Sequence, residues 1–133
     1  MASKSWNPRR RVLVVDPDPD SRLFVCDLLA YRRVEAVQAA SSWEAMEILH
    51  QRGVDLVLLN LVMPTMDGLE TLREIRQHDR DLPVIMMSAL ITPELERRLL
   101  REGAQAWLDK PVGQDALTVA LLSLGSPSGF ADS

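Results

Sequence analysis

Val54-Asp55-Leu56-Val57-Leu58-Leu59-Asn60-Leu61-Val62-Met63-Pro64-Thr65-Met66-Asp67-Gly68 is the stretch from which the fold can be read. Its apolar run, Leu56 to Leu59, is too short for a buried helix and has the length of a strand covered on both faces. The run ends at Asn60, a polar residue where such a strand leaves its sheet. A loop containing Pro64 follows, and Asp67-Gly68 reads as a turn feeding a helix N-cap. In an open parallel sheet, ligands gather beyond the carboxyl ends of the strands, so chemistry is expected at position 60. An amide stands there, not an acid.

The pattern repeats on both sides. Upstream, Arg11 to Val15 reads as a short buried strand ended by the polar run Asp16-Pro17-Asp18-Pro19-Asp20. Asp18 followed by Pro19 is an N-cap with a first-turn proline, and the helix after it carries Leu23, Phe24, Leu28 and Tyr31 at helical spacing. A second strand covers about Val34 to Ala39. Ser41 with Glu44 makes a capping box for a helix whose apolar face is Ala45, Met46 and Leu49, closed by Gly53. Trp43, in that helix's first turn, reads as a surface or staple residue. Downstream, a helix from about Leu69 to Gln77 turns Leu72 and Ile75 inward. Pro83 opens a strand of Val84 to Met87 that ends at Ser88. Pro93 begins a helix expected to bury Leu95, Leu99 and Leu100 and to stop at Gly103. A short strand, Ala106 to Leu108, leads to Asp109-Lys110-Pro111. The last helix, Gln114 to Leu124, is expected to bury Leu117, Ala120, Leu121 and Leu124. Five strands alternating with five helices imply right-handed crossovers and a parallel sheet with helices on both faces, an α/β three-layer sandwich. Periodicity does not give the strand order.

With 133 residues, 47% hydrophobic and 26% charged, the chain reads as a single soluble domain. Residues 1–10 are expected to be a flexible leader, with Trp6 its one notable residue. The domain spans 11–124, and 125–133 form a disordered tail or linker. No apolar run approaches the ~18 residues of a membrane span, and the N-terminus lacks the apolar core of a signal peptide. A formal charge of -4 argues against nucleic acid as the domain's partner, and Arg9 to Arg11 read as a solvated flank. The lone Cys26 excludes an internal disulfide and fits a reducing cytoplasm, with a packing role inside its helix. Neither His50 nor His78 falls at a strand end, so turnover of an external substrate has no support.

Four polar groups fall at the carboxyl ends of the expected strands: Asp16 with Asp18 close by, Asn60, Ser88 and Lys110. The blocks V-L-V-V-D-P-D-P-D-S-R, D-L-V-L-L-N-L-V-M-P-T-M-D-G-L-E, P-V-I-M-M-S-A and W-L-D-K-P, in this order, resemble the receiver domains of two-component response regulators. The resemblance covers about Arg11 to Leu124. It implies the flavodoxin-like strand order 2-1-3-4-5. It also implies a site in which an aspartate after the third strand takes phosphate from a histidine kinase. Two acids after the first strand help to hold Mg²⁺, a Thr or Ser and a Lys contact the phosphoryl group, and an aromatic on the fifth strand reports the switch. Carried over by position, Asp16 matches the first acid, Ser88 the hydroxyl, Lys110 the lysine and Trp107 the aromatic. Two positions depart. Asn60 stands at the phosphoacceptor position, and Pro17 stands in place of the second acid.

A carboxylate attacks phosphorus because it carries full negative charge on exposed oxygens, whereas a neutral amide does not. Mg²⁺ binds through hard oxygens, commonly one or two carboxylates, and Pro17 offers none. Asp18 is already engaged as a helix cap. Asp16 and Lys110 are therefore expected to approach each other in a roughly neutral pocket, with no cofactor and Mg²⁺ binding weak or absent. The expected function is a phosphorylation-independent receiver-like module acting through protein–protein contact in the cytoplasm. Its partner would be a signalling protein, and a homodimer is first expected through the face of the fourth helix, fifth strand and fifth helix. Trp107 is expected to be held in one position and, if it points outward, to give that face an apolar anchor among Arg97, Arg98, Arg101 and Asp109. Two other readings stand beside it: an anion- or ligand-binding pocket with Lys110 and Ser88 as contacts, and a conventional phospho-switch whose acceptor has been changed from Asp to Asn. The loss at Pro17 argues against the last.

Overall fold

The computed structural model describes residues 11–63 and 67–122. The expected leader with Trp6, the loop residue Pro64, Leu124 and the expected tail lie outside the described residues. The described elements alternate as anticipated: β1 (Arg11–Val15), α1 (Pro19–Ala30), β2 (Glu35–Ala39), α2 (Ser42–Gln51), β3 (Leu56–Asn60), α3 (Gly68–His78), β4 (Val84–Ser88), α4 (Pro93–Arg101), β5 (Ala106–Asp109) and α5 (Gln114–Leu122). The strands form one sheet of order β2-β1-β3-β4-β5, parallel at every pairing. This is the flavodoxin-like arrangement. The register aligns Val15 of β1 with Leu59 of β3, and Asn60 with Met87 of β4, so the strand ends lie level.

Alternation along each inner strand divides the apolar residues between two helical layers, because successive side chains point to opposite faces. Leu13, Val15, Val57, Leu59, Val84 and Met86 pack with Ala45 and Leu49 of α2, Leu72 and Ile75 of α3, and Leu99 of α4. Val12, Val14, Leu56, Leu58, Ile85 and Met87 pack with Val25 and Leu29 of α1 and Leu117 and Leu121 of α5. Burial on both faces explains why β3 and β4 read as unbroken apolar runs. The caps also follow the sequence. Asp18 accepts from the Ser21 N–H, Ser41 from that of Glu44, and Thr92 from that of Leu95, while Asp67 and Glu70 complete a reciprocal capping box on α3. The box expected of Ser41 and Glu44 forms only by half, because the Glu44 carboxylate reaches one residue further back and accepts from the Ala40 N–H at 2.7 Å. Arg73 of α3 donates twice to Glu102 at the end of α4, both at 2.9 Å.

Three expectations need correction. Of the stripe at helical spacing on α1 only Leu28 packs against the core: Leu23 and Phe24 are half exposed and Tyr31 is 83% exposed. The helix is apolar nearly all round, and it is rolled so that Val25 and Leu29 meet the sheet instead. On α4, Leu99 alone is buried; Leu95 is half-buried and Leu100 is exposed, since one thin helix presents only a narrow stripe to the sheet. The second strand begins at Glu35, with Val34 buried just before it. Trp43 is exposed, and Cys26 is half-buried on the α1 layer, where burial pushes its thiol pKa up.

Candidate functional site at the strand ends

The site begins with the two residues that end β1 and β3. Asp16, directly after β1, is 1% exposed. Its N–H donates to Ala39 O at 3.0 Å, which ties it to the end of β2. Its own carbonyl accepts from Arg22 Nη1 at 2.7 Å, while Arg22 Nε reaches Gln38 Oε1 at 2.9 Å. The carboxylate is used on both sides: Oδ1 accepts from the Asp18 N–H at 3.0 Å and Oδ2 from Lys110 Nζ at 2.9 Å. Asp18 directs its own carboxylate to the first turn of α1, accepting from the Ser21 N–H at 3.3 Å. Pro17 lies between them with no side-chain oxygen and no N–H.

Asn60 closes β3 at 7% exposure. Its Oδ1 accepts from Lys110 Nζ at 2.9 Å, and its Nδ2 donates to the carbonyl of Val62, two residues on. The amide therefore has a donor on one side and an acceptor on the other, and only this orientation serves both. The chain after it is held closely. Leu61 N–H donates to Met87 O at 2.8 Å and Gly68 N–H to Leu61 O at 2.7 Å. A Cβ on Gly68 would lie 2.7 Å from Asn60 O, so this close approach demands glycine at position 68.

Lys110 follows β5. Its N–H donates to Ser88 O at 2.8 Å, and its bond to Pro111 is cis. Its ammonium joins the ends of β1 and β3 through Asp16 and Asn60. Ser88 ends β4 beside this cluster, but its hydroxyl turns into the following loop. There it donates to Leu90 O at 3.2 Å and accepts from the Leu90 N–H at 3.3 Å. The structure thus joins Asp16, Asn60 and Lys110 directly and leaves the Ser88 side chain bonded elsewhere. Trp107 pairs in register with Met86, is half-buried, and packs against the layer of α2, α3 and α4. It also lines a groove of about 620 Å³ with Ala106, Asp109, Ala116 and Val119.

Two contributors escaped the sequence reading. The Val62 carbonyl is backbone and carries no side-chain signature. Arg22 could have been marked only as a lone cation one turn into the helix that follows the acidic run.

Chemically, one anion and one cation offset each other, and the third polar group is neutral. Neither carboxylate oxygen of Asp16 is free of a donor.

The family model for the response regulator receiver domain matches residues 12–122. The chain belongs to that family. Receiver domains act in two-component signal transduction, where they interact with other signalling proteins. This one is 31% identical over 112 residues to the chemotaxis protein CheY of Bacillus subtilis, covering 84% of this chain and 93% of that protein. It is 40% identical over 104 residues to a probable cyclic di-GMP phosphodiesterase of Vibrio cholerae, covering 76% of this chain and 23% of that protein. Against the latter and the sensor histidine kinase RcsC of Salmonella typhi, the receiver domain spans 23% and 12% of the relative's length. Among solved structures, the chemotaxis protein CheY4 of Vibrio cholerae superimposes with a TM-score of 0.82 at 26% identity, covering 87% of this chain and 98% of that one.

Proposed function

We propose that this receiver domain signals by protein–protein contact without accepting a phosphoryl group. The observation that carries the reading is the two-sided engagement of the Asn60 amide, with Lys110 Nζ on its oxygen and the Val62 carbonyl on its nitrogen. An acceptor needs a charged oxygen open to in-line attack, and the position that the resemblance assigns to the acceptor holds a neutral group with both ends occupied. The second departure at the same site, Pro17, favours Asn60 as part of a site that has lost acceptor chemistry, against a reading in which an acidic acceptor was replaced. An aspartate here would set an oxygen against the Val62 carbonyl.

Mg²⁺ binding is weak or absent on this reading. Asp16 is the one carboxylate in the cluster, both its oxygens already accept, Pro17 supplies none, and Lys110 provides the positive charge that a divalent ion would otherwise bring. An anion is not favoured as a ligand either. The groove of about 470 Å³ beside Lys110 is lined by Asp18 and Asp20, and two of the three ammonium donors are already spent. The domain is a non-enzymatic module of the cytoplasm, which fits its single half-buried cysteine. Its partner surface is the face of α4, β5 and α5, built from the Trp107 groove with its exposed Val119 and from α4, which carries the exposed Arg97, Arg98, Leu100 and Arg101. A homodimer through that face is one form the contact takes.

The test is incubation with a small phosphodonor and Mg²⁺ followed by intact mass measurement. The expected mass is unchanged; a gain of one phosphoryl group overturns the proposal.

A further inference from the structure

α2 and α3 lie in the same helical layer and are joined near their N-terminal ends by a hydrogen bond between the Ser42 and Thr71 hydroxyls. At the opposite end of the layer, away from the Lys110 cluster, the two histidines of the chain meet. His50 is the penultimate residue of α2 and His78 the last of α3. Their ring centroids are 4.8 Å apart with the planes inclined at 74°. Both residues are exposed, and among the described residues neither ring is engaged by a hydrogen bond or ion pair.

The spacing carries chemical meaning. With a metal–nitrogen bond of about 2.0–2.1 Å, two imidazoles on one cation have centroids ~4.5 Å apart at right angles and ~5.2 Å apart at the tetrahedral angle. The observed separation falls between these values. Both rings also sit in the last turn of their helices, where the carbonyl ends of the peptide dipoles favour positive charge. Being exposed, the rings can turn to present a nitrogen without disturbing the core.

We propose that His50 and His78 form a two-imidazole site for a borderline divalent cation, of the class of Zn²⁺, Ni²⁺ or Cu²⁺, clipping α2 to α3 at their C-terminal ends. Nitrogen donors select this class over Mg²⁺ or Ca²⁺, which take oxygen. No third His, Cys, Asp or Glu completes a ligand set among the described residues, so water fills the remaining positions. The site is independent of the strand-end cluster and of the reading given to it.

The experiment titrates the untagged full chain with Zn²⁺ by calorimetry in a non-coordinating buffer, beside H50Q, H78Q and the double variant. One equivalent is expected to bind. Each single substitution is expected to weaken binding about a hundredfold, the low end of what holding two ligands in one rigid frame supplies. The double variant should bind no tighter than either single one. Cu²⁺ should broaden amide resonances outward from residues 50 and 78. Absence of binding at millimolar Zn²⁺, unchanged binding in either single variant, or broadening centred elsewhere overturns the proposal. Circular dichroism confirms that the variants are folded, so that lost binding is not lost structure.

Discussion

Replacing Asn60 with Asp exchanges the Nδ2 donor facing the Val62 carbonyl for a charged oxygen and leaves the Lys110 contact in place. The Val62 carbonyl loses its partner and meets like charge, which costs about 1–2 kcal/mol; the low end applies because the bond is only part-buried. Opposing this, the Lys110 bond becomes charge-assisted on both sides and gains roughly 0.5–1 kcal/mol. A second negative charge beside Asp16, itself 1% exposed, takes some of that back. The balance is a loss of about 0.5 kcal/mol in chelator, read as a urea midpoint lower by roughly 0.2–0.5 M. Magnesium then separates this account from a purely steric one. In the Asn60→Asp variant a second carboxylate joins Asp16 around Lys110 and faces the Val62 carbonyl, so Mg²⁺ should bind, and Mg²⁺ at ten times its dissociation constant should restore ~1.4 kcal/mol. The parent should show no such recovery. A variant as stable as the parent in chelator, or an equal Mg²⁺ response in both proteins, refutes the reasoning.

Removing the cation is costlier. Lys110→Met strands the buried Asp16 carboxylate with the Asp18 N–H as its remaining partner, and the fold should lose about 2–3 kcal/mol in urea denaturation, below the full value for a buried pair because the lysine is partly exposed. Trp107→Ala should cost about 1–3 kcal/mol for a half-buried indole and should lower partner recovery in a pull-down; equal recovery removes Trp107 from the binding face. The Arg73 guanidinium holds the Glu102 carboxyl below its ordinary 4.5, so this pair's contribution is complete above that pH and fades as the pH falls through the lowered folded value. Glu102→Gln should therefore lower stability at neutral pH by the small contribution of an exposed pair and leave it unchanged at low pH, which flattens the acid limb of a urea-midpoint profile against pH.

Much of this molecule can be read from the chain because its strands are covered on both faces and its helices are capped by side chains. Leu56–Leu59, Val84–Met87 and the caps at Asp18, Ser41, Asp67 and Thr92 are local signals with local causes. The approach of Asp16 to Lys110 was legible from charge once the family resemblance had supplied the strand order, because it leaves one anion and one cation at the same end of the sheet. The roll of α1 was not. With Leu23, Phe24, Val25, Leu28 and Leu29 spread round the helix, periodicity does not select a face; the turn through Asp16, Pro17 and Asp18 does. The Ser88 hydroxyl was equally beyond reach, since its partner, the Leu90 backbone, depends on how the loop after β4 folds back.

The ammonium of Lys110 spans 94 residues to Asp16 and 50 to Asn60, and it reaches across β4 to do so. Such a knot is tied last: its three ends meet after β1, β3, β4 and β5 have all taken their places. Its loss in Lys110→Met should therefore speed unfolding more than it slows folding in a urea chevron, so that the contact sets how slowly the finished domain comes apart.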